Sequence, residues 1–152
     1  METTTKDLKV LALAEFLEVG QDEIVTDSYD EDLLNYGSQE YLVLTDEEAD
    51  KRAEEDIKNS LWAFNPEFII RHCKNYDEMD CYEFESAVNS LKKAQESECE
   101  NLNGLVYALI DDMEDFVEDA IIADGRGHFI SYYDGYENEV NIEGETYYIY
   151  RM

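Results

Sequence analysis

The chain has 152 residues, is 44% hydrophobic and carries a formal net charge of −28. That size and apolar content suit one domain with its own core. The charge is far beyond the magnitude of about 2–8 that keeps a small domain soluble, and it excludes direct binding to nucleic acid by like-charge repulsion.

The 12 tyrosines and 6 phenylalanines, set among evenly spaced aliphatic residues, argue against disorder. There is no apolar run long enough to span a membrane, and METTTKDLKV has no signal-peptide layout. Cys73, Cys81 and Cys99 stand at no framework spacing and are expected as reduced thiols in a cytoplasm.

In chain order, Thr5 to Glu18 reads as a helix with Leu8, Leu11, Ala12, Phe16 and Val19 inward, stopped by Gly20 in the left-handed conformation. An acidic turn, Asp27 to Asp32, precedes LLNY-GS-QEYLVL, a hairpin whose Gly37-Ser38 suits a type II′ turn. Thr45 and Glu48 form a capping box for a helix reaching about Phe64. Asn65-Pro66 stops that helix and starts a short one to about Lys74. Asp80 and Glu83 imitate a second capping box for a helix of about 80–96.

The most strongly patterned stretch is Asn101 to Ala123. Leu102, Val106, Leu109, Met113, Phe116, Val117, Ala120 and Ile121 follow the rhythm of one buried helix face. The other face holds Asp111, Asp112, Glu114, Asp115, Glu118 and Asp119, and no lysine or arginine lies between Lys93 and Arg126. Like charges at i,i+4, such as Glu114 and Glu118, cost a helix a few tenths of a kcal/mol per pair, about 0.2–0.5. An acid face kept against that cost invites a functional reading.

After Arg126-Gly127 the period changes to two. HFISYY-DG-YENEVNI-EG-ETYYIYRM predicts a three-stranded antiparallel meander from 128 to 151, turning at Asp134-Gly135 and Glu143-Gly144. Phe129, Tyr133, Val140, Ile142, Tyr147 and Ile149 would face the helices. Ile130, Tyr132, Glu137, Glu139, Tyr148 and Tyr150 would form a second face of mixed tyrosine and carboxylate. The fold class expected is α+β: about five helices, a hairpin in the N-terminal half and the C-terminal meander, as a single domain over 1–152.

Enzyme signatures are missing: there is no G-x-S-x-G, Walker loop, G-x-G-x-x-G or H-E-x-x-H. His72-Cys73, Cys81 and Cys99 lack any C-x-x-C spacing for zinc, and the acid face carries no Glu-x-x-His pair for a di-iron site. No catalytic residue, metal or cofactor is therefore expected. The loop Asp124-Gly125-Arg126-Gly127-His128 reads as a helix stop followed by a new strand.

Tyr41 to Ile70 (YLVLTDEEADKRAEEDIKNSLWAFNPEFII) and Ala123 to Glu139 (ADGRGHFISYYDGYENE) resemble small acidic proteins encoded by bacteriophages and prophages. The resemblance implies a phage accessory protein acting in the host cytoplasm and transfers no site residues. In physical character the chain is also similar to the DNA mimics that disarm restriction enzymes and CRISPR effectors. Six carboxylates over eight helical steps, roughly 12 Å, give about 2 Å per charge, against one per roughly 1.7 Å of duplex axis.

The expected function is thus anti-defence. Asp111, Asp112, Glu114, Asp115, Glu118 and Asp119 would meet the basic nucleic-acid-binding surface of a host nuclease complex, with Glu137, Glu139, Tyr148 and Tyr150 as a second patch. The alternative is a noncatalytic acidic interaction protein that binds a basic host or phage protein without mimicry. The tyrosine-bearing sheet face or an edge strand offers a route to a homodimer.

Overall fold

The computed structural model describes residues 4–27 and 29–152; Ser28, within the acidic turn expected over Asp27 to Asp32, lies outside the described residues. In chain order the elements are α1 (Thr5–Leu17), β1 (Val25–Thr26), β2 (Leu33–Tyr36), β3 (Gln39–Leu44), α2 (Asp46–Asn59), α3 (Pro66–Arg71), α4 (Cys81–Glu98), α5 (Asn103–Leu109), α6 (Met113–Asp124), α7 (Arg126–Ile130), β4 (Asn138–Ile142) and β5 (Glu145–Arg151). The fold is α+β, with an open five-stranded sheet whose paired strands are all antiparallel. The chain divides into two units: residues up to Ala53 together with Asp124–Met152, and Glu54–Ala123.

In the first unit the sheet order is β1-β2-β3-β5-β4. The β2–β3 hairpin turns at Gly37, whose φ of +60° with no positive φ at Ser38 agrees with the type II′ turn expected. The β4–β5 hairpin turns at Glu143-Gly144, where φ values of +53° and +87° fit type I′.

One sheet face carries Leu34, Tyr41, Val43, Ile142, Tyr147 and Ile149, which form a core with Ala12 and Leu13 of α1. The opposite face carries Leu42, Leu44 and Tyr150, each no more than 2% exposed. Both faces are therefore covered, and the outward tyrosine–carboxylate face expected from the alternation does not form: Tyr150 and Ile130 are fully buried.

The meander is the main correction. Residues 126–130 form α7, closed by the Ser131 amide donating to the Gly127 carbonyl at 2.9 Å. The edge of β5 that a first strand would have used is taken by β3, through Tyr41↔Arg151 to Leu44↔Tyr148. With β4 on its other side, β5 has no free edge left for residues 128–133. Tyr133, expected in the core, is accordingly 64% exposed, and Phe129 is half-buried within α7.

Helix ends follow local chemistry. The Thr45 amide donates to Glu48 Oε2 at 2.9 Å and the Glu48 amide to Thr45 Oγ1 at 3.3 Å, the expected capping box. Asn65 and Asp80 accept from the Glu67 and Glu83 amides at 2.9 and 2.8 Å, with Pro66 at the first helical position of α3. Helix α1 ends at Leu17, one residue sooner than expected. Glu18, not Gly20, takes the left-handed conformation (φ 58°), and the Val19 amide reaches back to the Ala14 carbonyl at 3.0 Å in a Schellman motif.

Lys9, at the centre of the buried face of α1, is 2% exposed. Its ammonium donates to Asp32 and, at 2.7 Å, to Glu48 Oε2. Burial pulls the Lys9 pKa down, but the Asp32 and Glu48 hydrogen bonds outweigh it and leave it above the ordinary lysine value. Burial likewise pushes the Glu48 carboxyl up, and Lys9 with the Thr45 amide more than reverses this, leaving it below the ordinary value.

Lys9→Ala should cost about 2 kcal/mol, below the 3–5 typical of a broken buried pair, because both carboxylates are partly solvated and rehydrate. The depressed Glu48 contributes stability that is complete above its unfolded pKa and lost as pH falls through the folded one. The raised Lys9 contributes stability that is complete below its unfolded pKa and lost as pH rises through the folded one. Urea denaturation of parent and variant should therefore differ most between about pH 5 and pH 10.

Candidate acidic interaction surfaces

In the second unit, α3 with its flanking residues and α6 supply an aromatic cluster that positions the acid face. Phe116, fully buried, meets Phe64 and Phe68 edge-on at 5.0 Å each and His72 at 5.1 Å. Asn103 ties the start of α5 to the end of α2: its side-chain amide donates to the Lys58 carbonyl at 2.8 Å and accepts from the Trp62 amide at 3.1 Å. Gln95 of α4 donates to the carbonyls of Trp62 and Phe64 at 2.8 and 2.7 Å.

The single helix expected over 101–123 is two helices. After Leu109 the backbone extends at Ile110 (ψ 129°), which pairs with Cys73 as an isolated bridge, and the Asp111 amide donates to the His72 carbonyl at 2.9 Å. Ile110 is buried and Leu109 is 38% exposed, the reverse of the continuous-stripe reading. Asp112 then caps α6, accepting from the Asp115 amide at 3.1 Å, which places Glu114 and Asp115 in the first turn beside the positive end of the helix dipole. Three of the six acids thus have a local structural reason to be there. The even charge spacing along one helix holds only from Glu114 to Asp119.

All six carboxylate residues are exposed, with Phe116, Val117 and Ala120 buried on the other side of α6. They are not all uncompensated. Asp119 Oδ2 lies 2.8 Å from His72 Nε2, whose Nδ1 faces the Phe68 carbonyl at 2.8 Å. A small cleft of about 130 Å³ brings Arg71 and Lys74 to the walls that also hold Asp111, Asp112 and Asp115. Asp111 and Glu118 make no side-chain hydrogen bond among the described residues.

The second expected patch lies in the first unit and has a different character. Arg126, its side chain 10% exposed, donates from Nε and Nη2 to both oxygens of Glu137 at 2.9 and 3.0 Å. Its Nη1 donates to Asp46 Oδ1 at 2.8 Å and Asp50 Oδ1 at 2.9 Å, and its guanidinium carbon lies 4.4 Å from the centre of the Tyr148 ring. The Tyr150 hydroxyl donates to Glu137 Oε2 at 2.5 Å. Burial works against the guanidinium charge, and the Glu137, Asp46 and Asp50 hydrogen bonds overcome it, so Arg126 is held more firmly protonated than usual. Burial and the Glu137 hydrogen bond push the Tyr150 hydroxyl well above its ordinary range. Glu137, Tyr148 and Tyr150 therefore form one clamp around Arg126, and Glu139, exposed on β4, takes no part in it.

Arg126 is the residue the sequence reading passed over. It is the first base after Lys93, inside the compact loop Asp124 to His128, and a lone cation following so many acids is a signal that it gathers carboxylates. Cys73, Cys81 and Cys99 are free thiols, with Cys73 half-buried and pushed up in pKa by that burial. Among the described residues no group of three or more His, Cys, Asp or Glu side chains is arranged to hold a metal ion, and no helix is long and apolar enough to cross a membrane. Comparison with protein-family models, with curated proteins and with solved structures finds no match.

Proposed function

We propose that the chain is a phage anti-defence protein that acts as a nucleic-acid mimic. In this reading the exposed carboxylates of Asp111 to Asp119 dock on the basic DNA- or RNA-binding channel of a host nuclease complex, a CRISPR effector or a restriction enzyme. The observation that carries it is α6, which presents Glu114, Asp115, Glu118 and Asp119 to solvent over successive turns with no base between Met113 and Asp124. A lysine- and arginine-lined channel would attract such a face at long range and hold it in a salt-dependent complex. The protein needs no catalytic group, cofactor or metal for this task, and its place of action is the host cytoplasm.

The break at Ile110 gives weight to the second reading, a noncatalytic acidic protein that binds a basic host or phage protein without imitating nucleic acid. A mimic depends on regular charge spacing, and Asp111 and Asp112 depart from it. Competition separates the two. Titrated into complexes of purified restriction enzymes or CRISPR effectors with labelled DNA, a mimic releases the label in proportion to its own binding. A protein that binds these complexes and leaves the label in place is the interaction protein instead.

A further inference from the structure

The loop between α7 and β4 holds Tyr132, Tyr133 and Tyr136, which are 71%, 64% and 69% exposed. Tyr29 and Tyr82 are more open still, but each stands alone in its segment, whereas three exposed rings within five residues make a patch. The loop is held in shape. The Ser131 hydroxyl donates to the Arg151 carbonyl at 2.7 Å and accepts from the Gly135 amide at 3.3 Å. The Asp134 carboxylate accepts from the Tyr136 amide at 3.0 Å. Gly127 of α7 sits so close beneath it that an added Cβ would lie 2.6 Å from the Gly135 carbonyl oxygen and 2.8 Å from the Glu137 nitrogen.

We infer that this loop is a docking surface for an arginine-rich protein segment, with guanidinium groups stacking on the three tyrosine rings. Charge complementarity selects the occupant. A chain of net charge −28 repels a second copy of itself and repels nucleic acid, so what settles on an exposed face is cationic. The rings select within the cations, because a planar guanidinium stacks on an aromatic face and a strongly hydrated ammonium does so less well. The chain already solvates one arginine in this way: Arg126 lies over Tyr148 with carboxylates around its rim. Tyrosine also supplies a large, stiff contact at low entropic cost.

The inference shares with the proposed function only the premise of a basic protein partner, and it names the chemistry of that partner. Labelled nona-arginine and nona-lysine peptides carry equal charge and serve as probes, with binding read by fluorescence anisotropy. The parent protein should bind nona-arginine about fivefold more tightly or better, since each stacked ring adds a modest preference. Tyr132→Leu/Tyr133→Leu/Tyr136→Leu should bring the ratio close to one while leaving nona-lysine affinity unchanged, and the corresponding Phe variant should keep the preference. If the triple Leu variant fails to fold by circular dichroism, Tyr132→Leu alone should lower the ratio. Equal binding of the two peptides by the parent, or an undiminished preference in folded Leu variants, overturns the inference. Reversing Asp111 and Glu118 should weaken both peptides in the same proportion. If that effect is missing while the arginine preference persists, the acid-face reading fails and the tyrosine surface stands.

Discussion

Asp111→Lys/Glu118→Lys should weaken binding to a nuclease target by about 3 kcal/mol or more, a hundredfold or greater rise in Kd, because each reversal sets like charges against one another across the interface. These two positions suit the experiment because their side chains hold nothing in the described structure. Asp112 and Asp115 are tied into the cap of α6, and Asp119 pairs with His72. Lys at 118 also replaces the Glu114–Glu118 repulsion by a Glu-to-Lys i,i+4 attraction, so helicity should be kept or slightly raised. Titration calorimetry at low and high salt checks both parts. Unchanged affinity in the folded variant would move the contact away from α6 altogether.

The second large effect concerns stability. Arg126→Ala should lower the unfolding free energy by about 2–3 kcal/mol, or roughly 4–12 °C in melting temperature for a chain of this size. Removal of the guanidinium leaves Asp46, Asp50 and Glu137 facing a common space and takes away the cation covering Tyr148. The figure falls at or below the bottom of the range of about 3–5 kcal/mol for a broken buried pair, because the side chains of Asp46 and Asp50 are 69% and 64% exposed and regain water readily. Arg126→Lys should recover less than half of the loss, since an ammonium cannot grip Glu137 through two parallel bonds while contacting the other carboxylates. Thermal melts of the three proteins decide the matter. A lysine variant as stable as the parent would show that charge alone, not the fork geometry, holds the clamp.

What was legible in the sequence is what a few neighbouring residues decide among themselves. Thr45 with Glu48, Asn65-Pro66, Asp80, Gly37-Ser38 and Glu143-Gly144 all do in the structure what their local chemistry implies. Residues 128–133 failed because a short alternating apolar run reads as a strand wherever an edge is free, and the free edge of β5 is taken by β3, some hundred residues earlier. The break at Ile110 was readable after the fact: Asp112 followed by Asp115 is a helix-start pattern, masked by an apolar stripe that runs on through it. Lys9 and Arg126 escaped because no local pattern marks either one, whereas each gathers carboxylates distant in sequence. At the candidate site the acids of α6 were legible by position and exposure. The internal use of Glu137, Tyr148 and Tyr150 depended on the fold around Arg126.

The strand order has a consequence for how the molecule is made. The sheet joins β3 to β5, strands about a hundred residues apart, so the first unit stays incomplete until β5 has been made. Glu54–Ala123, by contrast, is one uninterrupted stretch whose contacts can form as soon as it emerges. Assembly of the inserted stretch shortens the free chain between β3 and β5 and lowers the entropy lost when they meet. Synthesis then favours an order of events in which Glu54–Ala123 closes first and the pairing of β3 with β5 follows.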